Sequence, residues 1–304
     1  MSARSTVAVM PVYDPGEGLH ERVADLRRQV AAVVVVDDGS RKPVGQLNGI
    51  PGVVLQTQGN AGIAAALNAG IRRARTEVPD LGYVLTVDQD SELGADYVAA
   101  SIRAMTAARA HGLDVVATAA DQYNDRRAAA DGRVSGLRTA LQVAQSGMLF
   151  SMEGLDRIGL FDESLVIDAV ETDWVLRARR RGGLVVLADG ASMLHPVGDP
   201  MPITIGGRPV RIGGRTRSYS HHSPLRRYYI TRNRLLVYPR FTQVALRWLV
   251  RDTLAESKTL AVSLVLGPGR SKQALGTAIG IVHGALGVRG KAAPSLQRTL
   301  SDRR

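Results

Sequence analysis

Four consecutive valines at 33–36 run straight into Asp37-Asp38-Gly39-Ser40. An unbroken β-branched run with no polar alternation suits a strand buried on both faces, as in parallel sheets covered by helices. Parallel neighbours need crossovers of a dozen or more residues, usually helical, so the run predicts strands and helices alternating around it. The flanking sequence supplies them: strands are expected at 7–10, 53–56, 83–87 and 115–118, and helices at 18–28, 62–75 and 95–110. Asn60 is the expected N-cap of the second helix, with Gly62 easing the entry. The implied fold class is α/β, a doubly wound, mostly parallel sheet flanked by helices, with ligands outside the carboxyl ends of the strands.

Beyond residue 135 the pattern changes. An extended piece at 139–144, helices at 153–158 and 172–181 and a strand at 184–187 are expected to complete a main domain over 1–200. Residues 201–223, within a stretch rich in Gly, Pro and Arg, read as a long loop or lid. Three helical segments, 224–237, 243–266 and 271–287, form a helical C-terminal region over 224–304, whose tail from 294 is expected to fray.

Charge divides the chain. Residues 1–176 hold sixteen Lys and Arg against twenty-three Asp and Glu, whereas residues 177–304 hold twenty-three against five. An acidic half followed by a basic half suggests an acidic site and a surface that meets an anionic partner. The chain has no cysteine, which excludes disulfides, thiolate chemistry and Cys-ligated zinc. The N-terminus lacks the apolar core of a cleaved signal, and no run reaches the ~18 apolar residues of a membrane span. A cytoplasmic location is expected, with peripheral contact at the inner face of the plasma membrane as an extension.

Three acidic clusters sit at strand ends or a helix start. Asp37-Asp38-Gly39-Ser40 follows the valine strand and, taken alone, also reads as an ordinary turn. Asp88-Gln89-Asp90 ends the strand at 83–87, and alternation puts Asp88 and Asp90 on one side. Two carboxylates aimed into one crevice repel unless a cation bridges them, and a hard divalent ion such as Mg²⁺ or Mn²⁺ takes such oxygens together with phosphate oxygens. The third cluster is Asp168, Glu171 and Asp173 around Trp174. Asp173 has Arg177 four residues on, the spacing of a helical ion pair. Three and four residues beyond Glu171 stand Trp174 and Val175, not a cation, and a carboxylate beside an indole is expected to lose hydration, which raises its pKa toward that of a general base.

At these residues the chain resembles the family 2 glycosyltransferases of GT-A fold, in particular the branch that uses dTDP-L-rhamnose. The matching stretches are VAVMPVYDP at 7–15, VVVVDDGS at 33–40, QGNAGIAAALNAGI at 58–71, VLTVDQDSEL at 84–93 and SGMLFS at 146–151. They continue with IGLFDESLVIDAVETDWVLRARRRGG at 158–183, MLHPVG at 193–198 and SPLRRYYITRN at 223–233. The resemblance implies a nucleotide-sugar and catalytic domain in which Pro11 and Tyr13 line the base and ribose pocket. It also implies that Asp38 accepts from the pyrimidine N3–H and that Asn60 and Gly62 lie beside the nucleotide. Asp88 and Asp90 would hold ribose and metal, with Asp90 the direct ligand and His195 reaching the metal or pyrophosphate. Glu171 falls where the family carries its base, with Asp173 the alternative. Trp174, Arg232 and Asn233 would contact acceptor or diphosphate. The implied reaction is transfer of a sugar from a dTDP- or UDP-linked donor to a saccharide or polyprenyl-pyrophosphate-linked acceptor, with inversion, in cell-envelope polysaccharide synthesis. A UDP-sugar-dependent galactosyl, galactofuranosyl or glucosyl transferase is the alternative within the family.

Seven arginines between 226 and 251 are interleaved with apolar residues and Trp248. A basic helix with an apolar side can lie on an anionic membrane, or the apolar residues can form a homodimer or domain interface. A nucleotidyltransferase would carry a Gly-rich basic signature after the first strand, where this chain reads PVYDPGEG. A nucleic-acid-binding protein would leave the acidic clusters unexplained, and nucleic acid is not an expected partner. No G-x-G-x-x-G follows the first strand, which excludes a dinucleotide-dependent dehydrogenase.

Overall fold

The valine run is the second strand of an eleven-stranded sheet, and every residue of that strand, Ala32–Asp37, is buried. The computed structural model describes residues 5–47, 49–124, 126–195, 200–205 and 208–301. The chain divides into two units, Met1–Val166 with Val170–His195, and Ile167–Ala169 with Pro196–Arg304.

In the first unit, β1 (Thr6–Val12), α1 (Leu19–Arg27), β2 (Ala32–Asp37), β3 (Val53–Thr57), α2 (Ile63–Glu77) and β4 (Tyr83–Thr86) follow the expected alternation. Then come β5 (Glu92–Leu93), α3 (Tyr97–Ala110), β6 (Val115–Tyr123), β7 (Arg126–Arg127), β8 (Gly132–Val134) and β9 (Leu137–Thr139). The unit closes with β10 (Leu149–Ser151), α4 (Met152–Ile158), α5 (Val170–Arg180) and β11 (Leu184–Leu194). The sheet order is β3-β2-β1-β4-β10-β6-β11-β9-β8. β1 to β4 pair in parallel, as do β6 and β11, while β10 lies antiparallel between β4 and β6. Three residues carry no periodicity, so β10 was not legible as a strand. It is identified by its register against Leu85 and Thr118.

Helix α2 shows why the layers pack. It buries Ala64, Leu67, Ile71 and Ala74, one face at helical spacing. Gly70 brings it against the sheet so closely that a Cβ there would lie 2.3 Å from a Val9 methyl.

The second unit corrects two expectations. Much of the expected loop is paired: β12 (Pro200–Pro202), β13 (Thr204–Ile205), β14 (Arg208–Pro209), β15 (Arg211–Ile212), β16 (Arg215–Thr216) and β17 (Ser218–Ser220) make three two-stranded ladders. Residues 196–199, at the start of the Gly-, Pro- and Arg-rich stretch, lie outside the described residues. Helices α6 (Pro224–Val237), α7 (Thr242–Leu266) and α8 (Arg270–Ala285) follow. The tail expected to fray forms α9 (Pro294–Leu300), because Leu300 is fully buried and the Ala292 N–H donates to the Tyr229 hydroxyl at 2.8 Å.

Candidate active site

The carboxyl ends of β1, β2 and β4 carry the first two acidic clusters, and the two adjacent acids after the valine run divide their work. Asp37 closes its own turn, accepting from the Ser40 N–H at 2.9 Å. Asp38 reaches across to the loop ahead of α2, where its buried carboxylate accepts from the Ala61 N–H at 2.8 Å, the Gly62 N–H at 2.9 Å and Gln58 Nε2 at 2.8 Å. Asn60 is therefore not the N-cap. Gly62 occupies that position with φ 98°, and an anionic side chain from another strand satisfies the backbone there, where the helix dipole favours negative charge. Two glycines make the approach feasible. A Cβ on Gly39 would sit 2.8 Å from the Asn60 nitrogen, and one on Gly62 would sit 2.6 Å from Val166 Cγ1. Both also have positive φ.

Asp88-Gln89-Asp90 does not prolong β4 as the expected alternation required: the strand ends at Thr86 and the chain turns, the Ser91 N–H donating to the Asp88 carbonyl at 3.1 Å. Gln89 pairs with the backbone of Tyr13, accepting from its N–H at 2.8 Å and donating to its carbonyl at 3.3 Å. Arg22 Nε donates to the Gln89 carbonyl at 2.7 Å. The end of β4 is thus tied to the end of β1, with Asp88 and Asp90 flanking the tie.

There they meet His195. One donor atom each from Asp88, Asp90 and His195 lie within 4.8 Å of one another. The long sequence separation is closed by β5, which pairs antiparallel with the end of β11, Leu93 opposite Met193 and Glu92 opposite Leu194. Asn124 clamps the His195 backbone, accepting from its N–H at 2.9 Å and donating to its carbonyl at 2.6 Å. The ring is held at Nδ1 by the Ser91 hydroxyl at 2.8 Å. Ser91 in turn accepts from Ser146 at 2.8 Å, and Ser146 accepts from the Asp88 N–H at 3.0 Å. A neutral ring donating from Nδ1 to Ser91 leaves its Nε2 lone pair for a cation. Two carboxylates and an imidazole gathered in this way suit a divalent ion.

Tyr13 is exposed, whereas Pro11 is buried within β1, so only the tyrosine offers an open surface of the expected base-pocket pair. A cavity of about 860 Å³, which Tyr13 does not line, opens between the loop carrying Asp14 and Leu19 and the loop carrying Arg41 and Val44. Arg41 donates to Asp14 through its backbone and guanidinium and holds that carboxyl below its ordinary pKa.

The third cluster separates. Glu171 lies half-buried in the first turn of α5. Asp173 is fully buried and takes Arg177 Nε at 2.7 Å, while the same guanidinium donates to the carbonyls of Ile158 and Leu160. Asp173 is a strut, as the helical spacing suggested.

Residues 7–150 match the profile of glycosyl transferase family 2. Over 250 residues the chain is 30% identical to the dTDP-rhamnosyl transferase RfbF of Shigella flexneri, covering 76% of this chain and 78% of that protein. The chain belongs to glycosyltransferase family 2. Among solved structures, this family 2 glycosyltransferase is similar in fold to GalNAc-T7 crystallised with UDP, GalNAc and Mn²⁺, at TM-score 0.51 and 14% identity. That match covers 75% of this chain and spans about half, 47%, of the other. It also matches residues 1–349 of S. aureus TarS in complex with UDP-GlcNAc, at TM-score 0.47 and 15% identity over 95% of this chain and 73% of that one. The fold is of GT-A type.

Three expected contact residues of the glycosyltransferase are not exposed. Trp174 is fully buried, its indole N–H donating to the Gly159 carbonyl at 2.8 Å and its ring edge-on to Phe150, so it packs the core and offers no acceptor platform. Arg232 is fully buried in the second unit, over the rings of Tyr228 and Tyr229 and donating to the Gly290 carbonyl at 2.5 Å. Asn233, also fully buried, donates to the carbonyls of Ile167 and Asp168. The matched RRYYITRN stretch is therefore largely scaffold. Gln89, Ser91, Asn124 and Ser146 were missed in the sequence because each acts through a partner distant in the chain.

Proposed function

We propose that this glycosyltransferase moves L-rhamnose from dTDP-L-rhamnose to a hydroxyl of a saccharide or lipid-linked saccharide acceptor, with inversion at the anomeric carbon and with a divalent metal. The observation that carries the reading is the gathering of Asp88, Asp90 and His195 at the carboxyl edge of a parallel sheet. The rhamnosyl donor is supported by the 30% identity to a dTDP-rhamnosyl transferase over three quarters of the chain.

Asp90, Asp88 and His195 would hold the ion, which when bound neutralises the diphosphate as it leaves. Tyr13 offers a ring face to the base or ribose. Asp38, with three donors on a carboxylate that can accept about four, keeps one site for the pyrimidine N3–H. The loop with Asn60 and Gly62, held by Asp38, would flank the nucleotide. Glu171 takes the proton of the acceptor hydroxyl. The burial of Asp173 against Arg177 leaves Glu171 the better base. One base and a single displacement give inversion.

The test is a donor screen by nucleotide release, setting dTDP-rhamnose against UDP-glucose, UDP-galactose and UDP-galactofuranose with and without Mg²⁺ or Mn²⁺. Asp90→Ala is expected to abolish metal-dependent donor binding. Glu171→Gln is expected to leave donor binding intact and to lower turnover by a factor of about 10² or more. Preferred turnover of a UDP-sugar would overturn the donor assignment, and full activity of Glu171→Gln the base assignment.

A further inference from the structure

Helix α8 is inside out. The residues it buries are Gln273, Gly276, Thr277, Gly280 and Gly284, all tiny or polar. Its bulky apolar side chains face outward, with Leu275 41%, Ile281 50%, Val282 53% and Leu286, at its C-cap, 74% exposed. A helix packed in water shows the opposite arrangement. The three glycines recur every fourth residue and admit the α6 backbone. A Cβ would lie 2.5 Å from the Pro224 carbonyl at Gly276, 2.8 Å from that of Tyr228 at Gly280 and 2.7 Å from Leu235 Cβ at Gly284. Small residues inside and large apolar residues outside are the pattern of helices whose surroundings are themselves apolar.

The charges say which surroundings. No Asp, Glu, Lys or Arg occurs from 273 to 288, and Arg270, Lys272, Arg289 and Lys291 bracket that stretch. In the same unit, α7 exposes Leu246, Val250 and Leu254 at four-residue spacing, beside Arg247 and Arg251. From residue 243 to the end there are ten Lys and Arg against three Asp and Glu. Two of those acids, Asp252 and Glu256, are bonded to Arg234 and Arg227. A second copy would set cations against cations, whereas anionic headgroups complement them. No described helix is long and apolar enough to cross a membrane, and sixteen residues of helix reach only about 24 Å.

We infer that the outward face of α8 seats the protein in the interface of an anionic phospholipid bilayer. Of the arginine-rich stretch singled out in the sequence, only the exposed face of α7 accompanies it. There Trp248 is buried, and Arg227 and Arg234 turn to the acids of α7. This surface is independent of the donor assignment.

The experiment is flotation of the full chain with phosphatidylcholine vesicles containing about one third phosphatidylglycerol, and with phosphatidylcholine alone. The protein is expected to float with the anionic vesicles and to be released by high salt. The triple variant Leu275→Gln, Val282→Gln, Leu286→Gln changes only exposed side chains. It is expected to bind at least about tenfold more weakly, with melting temperature and nucleotide release unchanged. Failure of the unmodified chain to float, or equal flotation of the variant, would overturn the inference. So would a lipid-free dimer that the same variant splits in sedimentation, since the face would then belong to a second copy. None of these outcomes alters the donor screen.

Discussion

Replacing Asp38 with alanine removes an anion from the start of α2 and leaves the N–H groups of Ala61 and Gly62 and the amide of Gln58 without their acceptor. Hydrogen bonds to charged groups contribute about 1.5–3 kcal/mol each, and they do not add when they share one carboxylate. The site is buried, but the loop donors can recover water by shifting outward. A net loss of about 2–4 kcal/mol therefore follows. In a unit of this size each kcal/mol moves Tm by roughly 2–4 °C, so the first unit should melt about 5–15 °C lower. Asp38→Asn should lose about half as much, because the amide oxygen keeps two donors while its NH₂ faces a third. The assay is calorimetric melting without nucleotide. A carboxylate that served only to read the pyrimidine would cost nothing there. An unchanged Tm for Asp38→Ala in nucleotide-free protein would refute the staple, whatever happened to donor binding.

Other consequences are open to similar tests. Asp173→Ala breaks a buried ion pair and should cost about 3–5 kcal/mol in urea unfolding, whereas Glu171→Gln should leave the unfolding midpoint in place. Unaltered stability with lost turnover in Asp173→Ala would make Asp173 the base after all. Gly280→Ala should destabilise by about 1–3 kcal/mol, although alanine is the better helix former by about 1 kcal/mol, because the new Cβ meets the Tyr228 carbonyl. A raised Tm would disprove the close approach. Burial holds the His222 pKa below its ordinary value, Arg226 and Arg227 adding to the shift and Asp168 and Glu256 opposing it. The folded chain thus binds fewer protons than the unfolded one, and stability should be lost as pH falls below about 6.5. His222→Gln should shrink the change in urea midpoint between about pH 7.5 and 5.5. An undiminished change would assign it to other groups.

Local chemistry was enough to specify the layered αβ order, the valine strand, the acids at the carboxyl ends and the pairing of Asp173 with Arg177. Each is written in periodicity or in spacings of a few residues, where backbone geometry alone decides which side chains are neighbours. Tertiary structure decided the rest. The meeting of His195 with Asp88 and Asp90 depends on a two-residue strand pairing with the end of β11. The cap of α2 comes from another strand, not from Asn60. Trp174, Arg232 and Asn233 have the composition of contact residues and the burial of scaffold. Hydropathy marks α8 as apolar, but only its glycine-lined packing on α6 shows that the large side chains point outward. Burial is a property of the assembled layers, and residue type constrains it only loosely once polar groups find partners far away in the chain.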